Sequence, residues 1–177
     1  HLMENGRLEA ELRLFVEKDV QRISILDPIF HARPGRAVSI LELAKRLSLR
    51  AQLSMQCRFE LVDEAFLDAL EGLDVELEFG LQTIHEDEAK AVLRPNQMDK
   101  VDGVIEELHR RRIPFQVSLI YGLPYQTLDR FRESVQWCRE RRVPEVRAWP
   151  LMLLRGTPIH QQRARWGYTE ITPNGIP

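Results

Sequence analysis

Five short runs of alternating apolar and polar residues recur along the chain, and segments with helical periodicity separate them. The runs begin near residues 21, 52, 75, 115 and 145. This spacing suits parallel strands, because a right-handed βα crossover takes about 30 residues including its helix. The pattern therefore predicts an α/β fold of about five βα units in a single domain, residues 1–177.

Along each run every second residue is mostly apolar, and the residues between them are largely polar. A doubly wound sheet is buried on both faces and shows continuous apolar runs, whereas a barrel sheathed by helices can line an enclosed site with polar groups. The alternation thus favours a partial (βα)6 TIM-like barrel of parallel strands. Polar groups on an inner face indicate either an internal ion-pair network or a polar ligand, and the pattern favours neither. The polar set is Ser24, Ser54, Gln56, Arg58, Glu76, Glu78, Gln82, Gln116 and Ser118.

Capping and breaking residues place the helix ends. Asp63 and Thr127 are predicted to cap helices that carry apolar stripes after them. The order Thr83-Ile84-His85-Glu86 has the form of a capping box, which predicts a helix start at Ile84. Arg94-Pro95-Asn96 is predicted to separate two helices.

Composition excludes several classes of function. With 25 basic and 27 acidic residues the net charge is −2, so we expect no nucleic-acid partner. No segment has the length and apolarity of a membrane span, so no membrane partner is expected. Cys57 and Cys138 form no disulfide framework, which favours a reducing, cytoplasmic location. Residues 1–3 are interpreted as a cloning remnant, and the basic run 109–112 as a solvated helix end.

Three segments carry most of the chemical signal, and the third, Arg155-Gly156-Thr157-Pro158, is by itself an ordinary turn. Glu78, Gly80 and Gln82 share one face at the carboxyl end of a predicted strand, where parallel α/β folds bind ligands. Gly80 would let a ligand approach the backbone, and Gln82 offers a donor and an acceptor. A structural alternative is that Gly80 relieves crowding while Glu78 pairs with Arg58. In the second segment, free backbone N–H groups near Gly122 could hold an anion or a heterocycle edge.

In this order and spacing, the segments resemble the radical S-adenosylmethionine (SAM) superfamily, most closely its cobalamin-binding-domain-associated branch of Fe-S oxidoreductases. The resemblance implies a partial barrel that holds SAM and a [4Fe-4S] cluster. It also implies reductive cleavage of SAM to a 5′-deoxyadenosyl radical that abstracts hydrogen from a substrate. The matching segments are ILDPIFH at 25–31, ELVDEAFLDAL at 60–70, LEFGLQT at 77–83, LRPNQ at 93–97, LIYGLP at 119–124 and RGTPI at 155–159.

The resemblance also implies roles for single residues. Gln82 and Arg94 would contact the ribose and carboxylate region of SAM, and Glu78 with Gly80 would line the pocket beside them. The backbone of residues 120–122 would face the adenine. The complete set of implied cofactor-binding residues is Gln56, Arg58, Glu78, Gly80, Gln82, Arg94, Ser118, Ile120, Tyr121 and Gly122.

The sequence departs from the family in its cluster ligands. The family holds its cluster with a CxxxCxxC loop after the first strand, and this chain contains no such loop. Gln56 and Ser118 stand where many relatives carry Glu and Asp. We therefore expect a fragment of a larger iron-sulfur enzyme, inactive alone and binding neither cluster nor SAM as expressed. The alternative is a degenerate, non-catalytic barrel that serves as a binding or interaction module.

Other chemistries lack the residues that they need. His31, His85, His109 and His160 fall on different elements without metal-ligand spacing, so we predict no metal site and no metal-dependent hydrolase. Trp137, Trp149 and Trp166 are scattered and are predicted to have packing roles. The substrate and any use of cobalamin stay open at this point.

Self-association through the first strand is a testable expectation. A barrel that lacks its first βα unit would leave a strand edge unpaired at residues 21–26, and such edges recruit partners. Size-exclusion chromatography at rising protein concentration should show a shift from monomer to a larger homo-oligomer. A single monomeric peak at high concentration would contradict the expectation.

Overall fold

The structure, a computed structural model, describes residues 5–169; residues 1–3 lie outside this range. A 3-10 turn at Phe59–Leu61 follows the second strand. The elements in chain order are α1 (Asn5–Glu17), β1 (Arg22–Ile25), α2 (Pro34–Arg46), β2 (Gln52–Cys57), α3 (Glu64–Leu70), β3 (Val75–Gln82), α4 (Glu86–Ala91), α5 (Met98–Arg111), β4 (Phe115–Tyr121), α6 (Leu128–Glu140), β5 (Glu145–Pro150) and α7 (Pro158–Gln161).

The five strands form one parallel sheet in the order β1-β2-β3-β4-β5, which confirms the predicted α/β fold. Strand order equals chain order, so every crossover runs in the same direction. Because right-handed crossovers in one direction place their helices on one side of the sheet, the other side stays uncovered by them. This is the arrangement of a partial TIM-like barrel and differs from a doubly wound sheet.

The apolar parity of the strands packs under the helices as predicted. Leu77, Phe79 and Val117 are fully buried, and helix residues such as Leu41 and Ile105 join them in one continuous core. Each large side chain buried in this way stabilises the fold by about 1.5–3 kcal/mol. The ring of Phe79 also stacks on that of Phe59, with centroids 4.2 Å apart.

Two helix starts are confirmed and one is wrong. Asp63 accepts a hydrogen bond from Phe66 N and Thr127 accepts one from Arg130 N, as N-caps do. Helix α4, however, begins at Glu86 and not at Ile84. The Thr83 side chain is fully buried, donates to Glu88 at 2.6 Å and accepts from His85 N at 3.1 Å. The hydroxyl is thus committed to a tertiary contact, which the local motif does not reveal.

The basic run at the end of α5 fastens helices together. Arg110 pairs with Glu107, and Arg111 donates to Glu107 at 2.8 Å and to Asp68 of α3 at 2.6 Å. These carboxylates compensate the guanidinium charges, which agrees with a helix end facing solvent.

His31 lies in the loop that follows β1, and its side chain is buried. Its ring stacks on Phe66 with centroids 4.7 Å apart, and its Nε2 lies 3.0 Å from Arg58 O. Burial lowers the pKa of His31, because an apolar environment disfavours the charged imidazolium. The contact with Arg58 O joins this loop to the carboxyl end of β2.

The buried neutral histidine predicts loss of stability in acid. The unfolded chain binds a proton at His31 near the ordinary pKa of 6.5 while the folded chain resists it. Below pH 6.5 the free energy of unfolding of the wild type should fall by up to about 1.4 kcal/mol per pH unit because of His31. The fall should stop at the pKa that His31 has in the folded chain. Urea unfolding of wild type and His31→Gln, compared from about pH 5 to about pH 8, should show this loss only in the wild type. Parallel pH profiles would contradict the assignment.

Candidate functional site

The polar parity of β2 to β5 lies on the side of the sheet away from the helices, here called the polar face. The strand register places Gln56 opposite Glu78 and Glu78 opposite Gln116. One step toward the carboxyl ends, Gly80 lies opposite Ser118. The sheet thus brings the predicted site residues of three strands onto one surface.

Glu78 and Ser118 form a direct contact across this surface. Ser118 Oγ donates to Glu78 Oε1 at 2.7 Å. Arg58 instead pairs with Glu60, with Nε 3.2 Å from Oε2. The alternative pairing of Glu78 with Arg58 is therefore wrong, since Glu60 follows Arg58 in the same turn and lies closer to its guanidinium.

Arg94 lies directly over Gly80. A Cβ added at Gly80 would come within 2.9 Å of Arg94 Nη2. Gly80 therefore makes room for the guanidinium, and the expectation that it leaves the backbone open to a ligand is corrected. Arg94 Nε is buried without a hydrogen-bond partner among residues 5–169. Burial is the main cause that lowers the pKa of Arg94, and the charge of Arg58 adds to it.

A cation in this setting favours an anionic ligand. Burial and the neighbouring Arg58 raise the free energy of the Arg94 charge, the Glu60 carboxylate compensates part of this, and an anionic ligand would compensate more. A carboxylate matches the planar fork of a guanidinium through two parallel hydrogen bonds. The geometry at Gly80 can therefore bind a carboxylate.

Gln82 occupies an irregular end of β3. Its φ is +69°, in the left-handed region that a residue with a side chain rarely adopts, and the register with β4 shifts between Gly80 and Gln82. Asn96 Nδ2 donates to Leu81 O and to Thr83 O, both at 2.9 Å, and so holds this bend from either side. Strained backbone of this kind concentrates at functional sites.

The turn after β4 is closed by Gln126. Its Oε1 accepts from Gly122 N at 2.7 Å, and its Nε2 donates to Ile120 O at 3.1 Å. The expected free N–H group at Gly122 is therefore already bonded within the chain. Residues 120–122 present the Ile120 side chain to the polar face, while the Tyr121 ring packs against Phe131 of α6, 6.1 Å between centroids.

Trp149 stands beside Ile120 in the register of β4 and β5. It is 51% exposed, so its predicted packing role is wrong. Within residues 5–169, β5 pairs only with β4. Trp149 therefore lies on an edge strand of the sheet.

Glu88 connects the ends of β3 and β4 from behind the site. It is fully buried, accepts from Thr83 Oγ1 at 2.6 Å and from Gln126 Nε2 at 3.1 Å, and lies 2.9 Å from Arg130 Nε. Sequence reasoning missed Glu88, Gln126 and Asn96. The polar residues inside LRPNQ and after GLP were the available signal for Asn96 and Gln126.

The cysteines do not fit an iron-sulfur cluster. Both are buried, and burial raises the pKa of Cys57 and raises that of Cys138 to about 11, which opposes the thiolate form that a cluster requires. Within the described range, no three His, Cys, Asp or Glu residues are grouped to hold a metal ion. None of the described helices is long and apolar enough to cross a membrane.

Comparison with known families gives one match over most of the chain. The model of the radical SAM superfamily matches residues 1–138. An uncharacterised protein of Methanocaldococcus jannaschii is 22% identical over 127 residues, which are 69% of this chain and 39% of that protein.

Solved structures share the fold at low identity. The radical SAM methyltransferase TsrM from Kitasatospora setae, with tryptophan substrate and a SAM analogue bound, has a TM-score of 0.71 and 16% identity over 82% of this chain. Another structure of TsrM holds cobalamin and a [4Fe-4S] cluster. Coproporphyrinogen III oxidase HemN from Escherichia coli, a radical SAM enzyme, has a TM-score of 0.60 and 20% identity over 84% of this chain. The chain covers 30% of TsrM and 37% of HemN, well under half of either.

The Glu88 contacts predict a large stability effect from a small substitution. Glu88→Gln keeps the shape but removes the buried charge that faces Arg130, which then keeps its exposed pair with Asp87, and should lower the free energy of unfolding by about 1–3 kcal/mol. Urea denaturation measures this loss. Glu86→Gln, on the exposed side of the same helix, removes only the pair with Lys90 and should cost at most about 0.5 kcal/mol. Equal losses in the two variants would refute the role of Glu88.

Proposed function

Because this chain belongs to the radical SAM superfamily, we propose that it forms the SAM-binding part of a larger iron-sulfur enzyme. The observation that carries the proposal is the guanidinium of Arg94, which lies over Gly80 at the carboxyl end of β3 with a buried, unpartnered Nε among the described residues. SAM brings a carboxylate that this group can bind.

The neighbouring side chains supply the other contacts that SAM requires. Gln82, on the bend after Gly80, would hydrogen-bond the ribose and carboxylate region. Glu78 has one oxygen bonded to Ser118 and a second one available, so this pair offers a carboxylate to a ribose hydroxyl although position 118 itself carries none. Ile120 would contact the adenine through its side chain, because Gln126 already bonds the backbone around it.

The chemistry of the family comes from its cluster, which reduces SAM when bound and releases a carbon radical. The two buried cysteines do not fit that cluster, so its ligands must come from outside this chain. We therefore propose that the chain alone is inactive and that the whole protein is the enzyme. The likeness to TsrM supports cobalamin as a further cofactor of the whole protein.

A second candidate function is a non-catalytic binding or interaction module. Gln56 and Ser118 favour it, because neutral groups replace carboxylates that would make the stronger, charge-assisted hydrogen bonds to SAM. Both candidates share the fold, and they differ in whether SAM binds.

Binding of S-adenosylhomocysteine, the uncleavable relative of SAM, tests the Arg94 site without a cluster. Titration calorimetry at high concentration of the chain should detect weak binding, which revises the sequence-based expectation of no bound SAM, because Arg94 and Gly80 both lie within this chain. Gly80→Ala should weaken it at least tenfold, because the new methyl group displaces the guanidinium, and Arg94→Lys should weaken it similarly by removing the planar fork. Gly103→Ala, in open space on α5, is the matched control and should bind as the wild type does.

Undetectable binding to wild type, or equal binding by all four proteins, would contradict the Arg94 site. The full-length protein then decides between the two candidates. Anaerobic reconstitution with iron and sulfide, followed by dithionite and SAM, should yield 5′-deoxyadenosine from the full-length protein and none from this chain. A full-length protein that takes up no iron would support the binding module instead.

A further inference from the structure

The middle of the polar face contains more hydrogen-bond acceptors than donors. The residues concerned, here called the acidic layer, are Glu76 and Glu78 on β3, Gln116 on β4, and Glu145 with Arg147 on β5. The register places Gln116 between Glu78 and Glu145. Glu76 precedes Glu78 by two residues and therefore lies on the same face of the strand.

Three carboxylates in this layer face one guanidinium. Arg147 Nε donates to Glu145 Oε1 at 2.7 Å, which compensates Glu145. That hydrogen bond is the main cause that raises the pKa of Arg147, and the charges of Glu145, Glu78 and Glu76 add to it, so all three carboxylates lie near this side chain. By residue type the layer therefore has three acidic groups and one basic group.

Two carboxylates retain unused acceptor capacity. Glu76 is half-buried and makes no hydrogen bond or ion pair with any residue between 5 and 169. Glu78 accepts from Ser118 at Oε1 only. Carboxylate oxygens accept hydrogen bonds, so this surface can bind a ligand that brings N–H or O–H groups.

Gln116 gives an independent indication of such a ligand. It is 3% exposed, and its amide oxygen has no hydrogen-bond donor in the described part of the chain. Buried amide oxygens in folded proteins are almost always paired, so a group from outside the described residues is expected to complete this one. Because Gln116 lies at the centre of the acidic layer, the donor that completes its amide oxygen is expected at the same place.

We propose that the acidic layer binds a protonated amine of the substrate, next to the SAM site. This inference rests on the proposed function, because a substrate bound here lies beside SAM. An ammonium group supplies several N–H donors for Glu76 and for the amide oxygen of Gln116, while the second oxygen of Glu78 stays with the ribose hydroxyl of SAM. A metal ion is the weaker alternative, because the described residues contain no three-ligand group for one.

The charge pattern of the polar face separates the two ligands. Arg58 and Arg94 lie toward the carboxyl ends of the strands, whereas Glu76 and Gln116 lie nearer the amino ends. The cationic end attracts a carboxylate, and the acidic layer attracts an amine. A substrate amine is therefore expected to bind nearer the amino ends of the strands than the SAM carboxylate does.

Simple ligands test the amine site on this chain. Butylammonium and neutral 1-butanol, which match in size, are titrated into isotopically labelled protein at low salt and followed by amide chemical shifts. Butylammonium should shift resonances around Glu76 and Gln116, and 1-butanol should not. Glu76→Gln should weaken butylammonium binding about tenfold, since it removes one charge-assisted contact. Glu71→Gln, exposed at the end of α3, is the matched control and should have no effect.

A gain-of-function variant keeps the test decisive if Glu76→Gln fails to fold. Ser54 lies opposite Glu76 in the register, so Ser54→Asp adds a carboxylate to the layer and should tighten butylammonium binding several-fold. Unchanged affinity in both Glu76→Gln and Ser54→Asp, or shifts confined to another surface, would overturn the amine site.

S-adenosylhomocysteine in the same samples separates the two proposals. Its Arg94-dependent binding without any butylammonium binding would overturn the amine site and leave the proposed function intact. Glu76-dependent butylammonium binding without S-adenosylhomocysteine binding would support the amine site and contradict the SAM site. Displacement of butylammonium by S-adenosylhomocysteine would show that the acidic layer belongs to the SAM site and would also overturn the inference.

Discussion

The buried carboxylate of Glu88 holds the carboxyl ends of β3 and β4 in a fixed relation. It receives hydrogen bonds from Thr83, directly after β3, and from Gln126, in the turn after β4, and it pairs with Arg130 of α6. A buried carboxylate is costly unless hydrogen bonds and an opposite charge compensate it. The positions of the two strand ends, and with them the bend at Gln82, therefore depend on one another.

The division of the sheet into two faces explains where chemistry can occur. Crossovers in one direction put the helices that connect the strands on the apolar face, so that face provides the stability while the polar face stays free for ligands. Along the polar face the charge changes sign, from Arg58 and Arg94 at the carboxyl ends to Glu76 and Glu78 nearer the middle. The same strand, β3, contributes to both regions, because Glu76, Glu78 and Gly80 alternate with buried apolar residues.

The sequence predicted helix starts correctly where the capping contact involves only residues close together in the chain. Asp63 and Thr127 cap their helices because a cap needs only a side chain and an N–H group three residues away. Thr83 shows the same motif but binds Glu88, because a buried carboxylate within reach competes for its hydroxyl. Gly122 similarly loses its predicted free N–H group to Gln126, whose position depends on how the chain turns after β4.

The sequence by itself determined the parallel α/β fold, the five strands, the apolar and polar faces, and the segments that resemble the radical SAM superfamily, because periodicity and short motifs are written in consecutive residues. Only the tertiary structure decided that Arg94 fills the space over Gly80, that Ser118 donates to Glu78, and that Glu88 joins two strand ends. Each of these contacts joins residues from different strands, loops or helices. Their geometry follows from the strand register and the packing of the core, which no local pattern encodes.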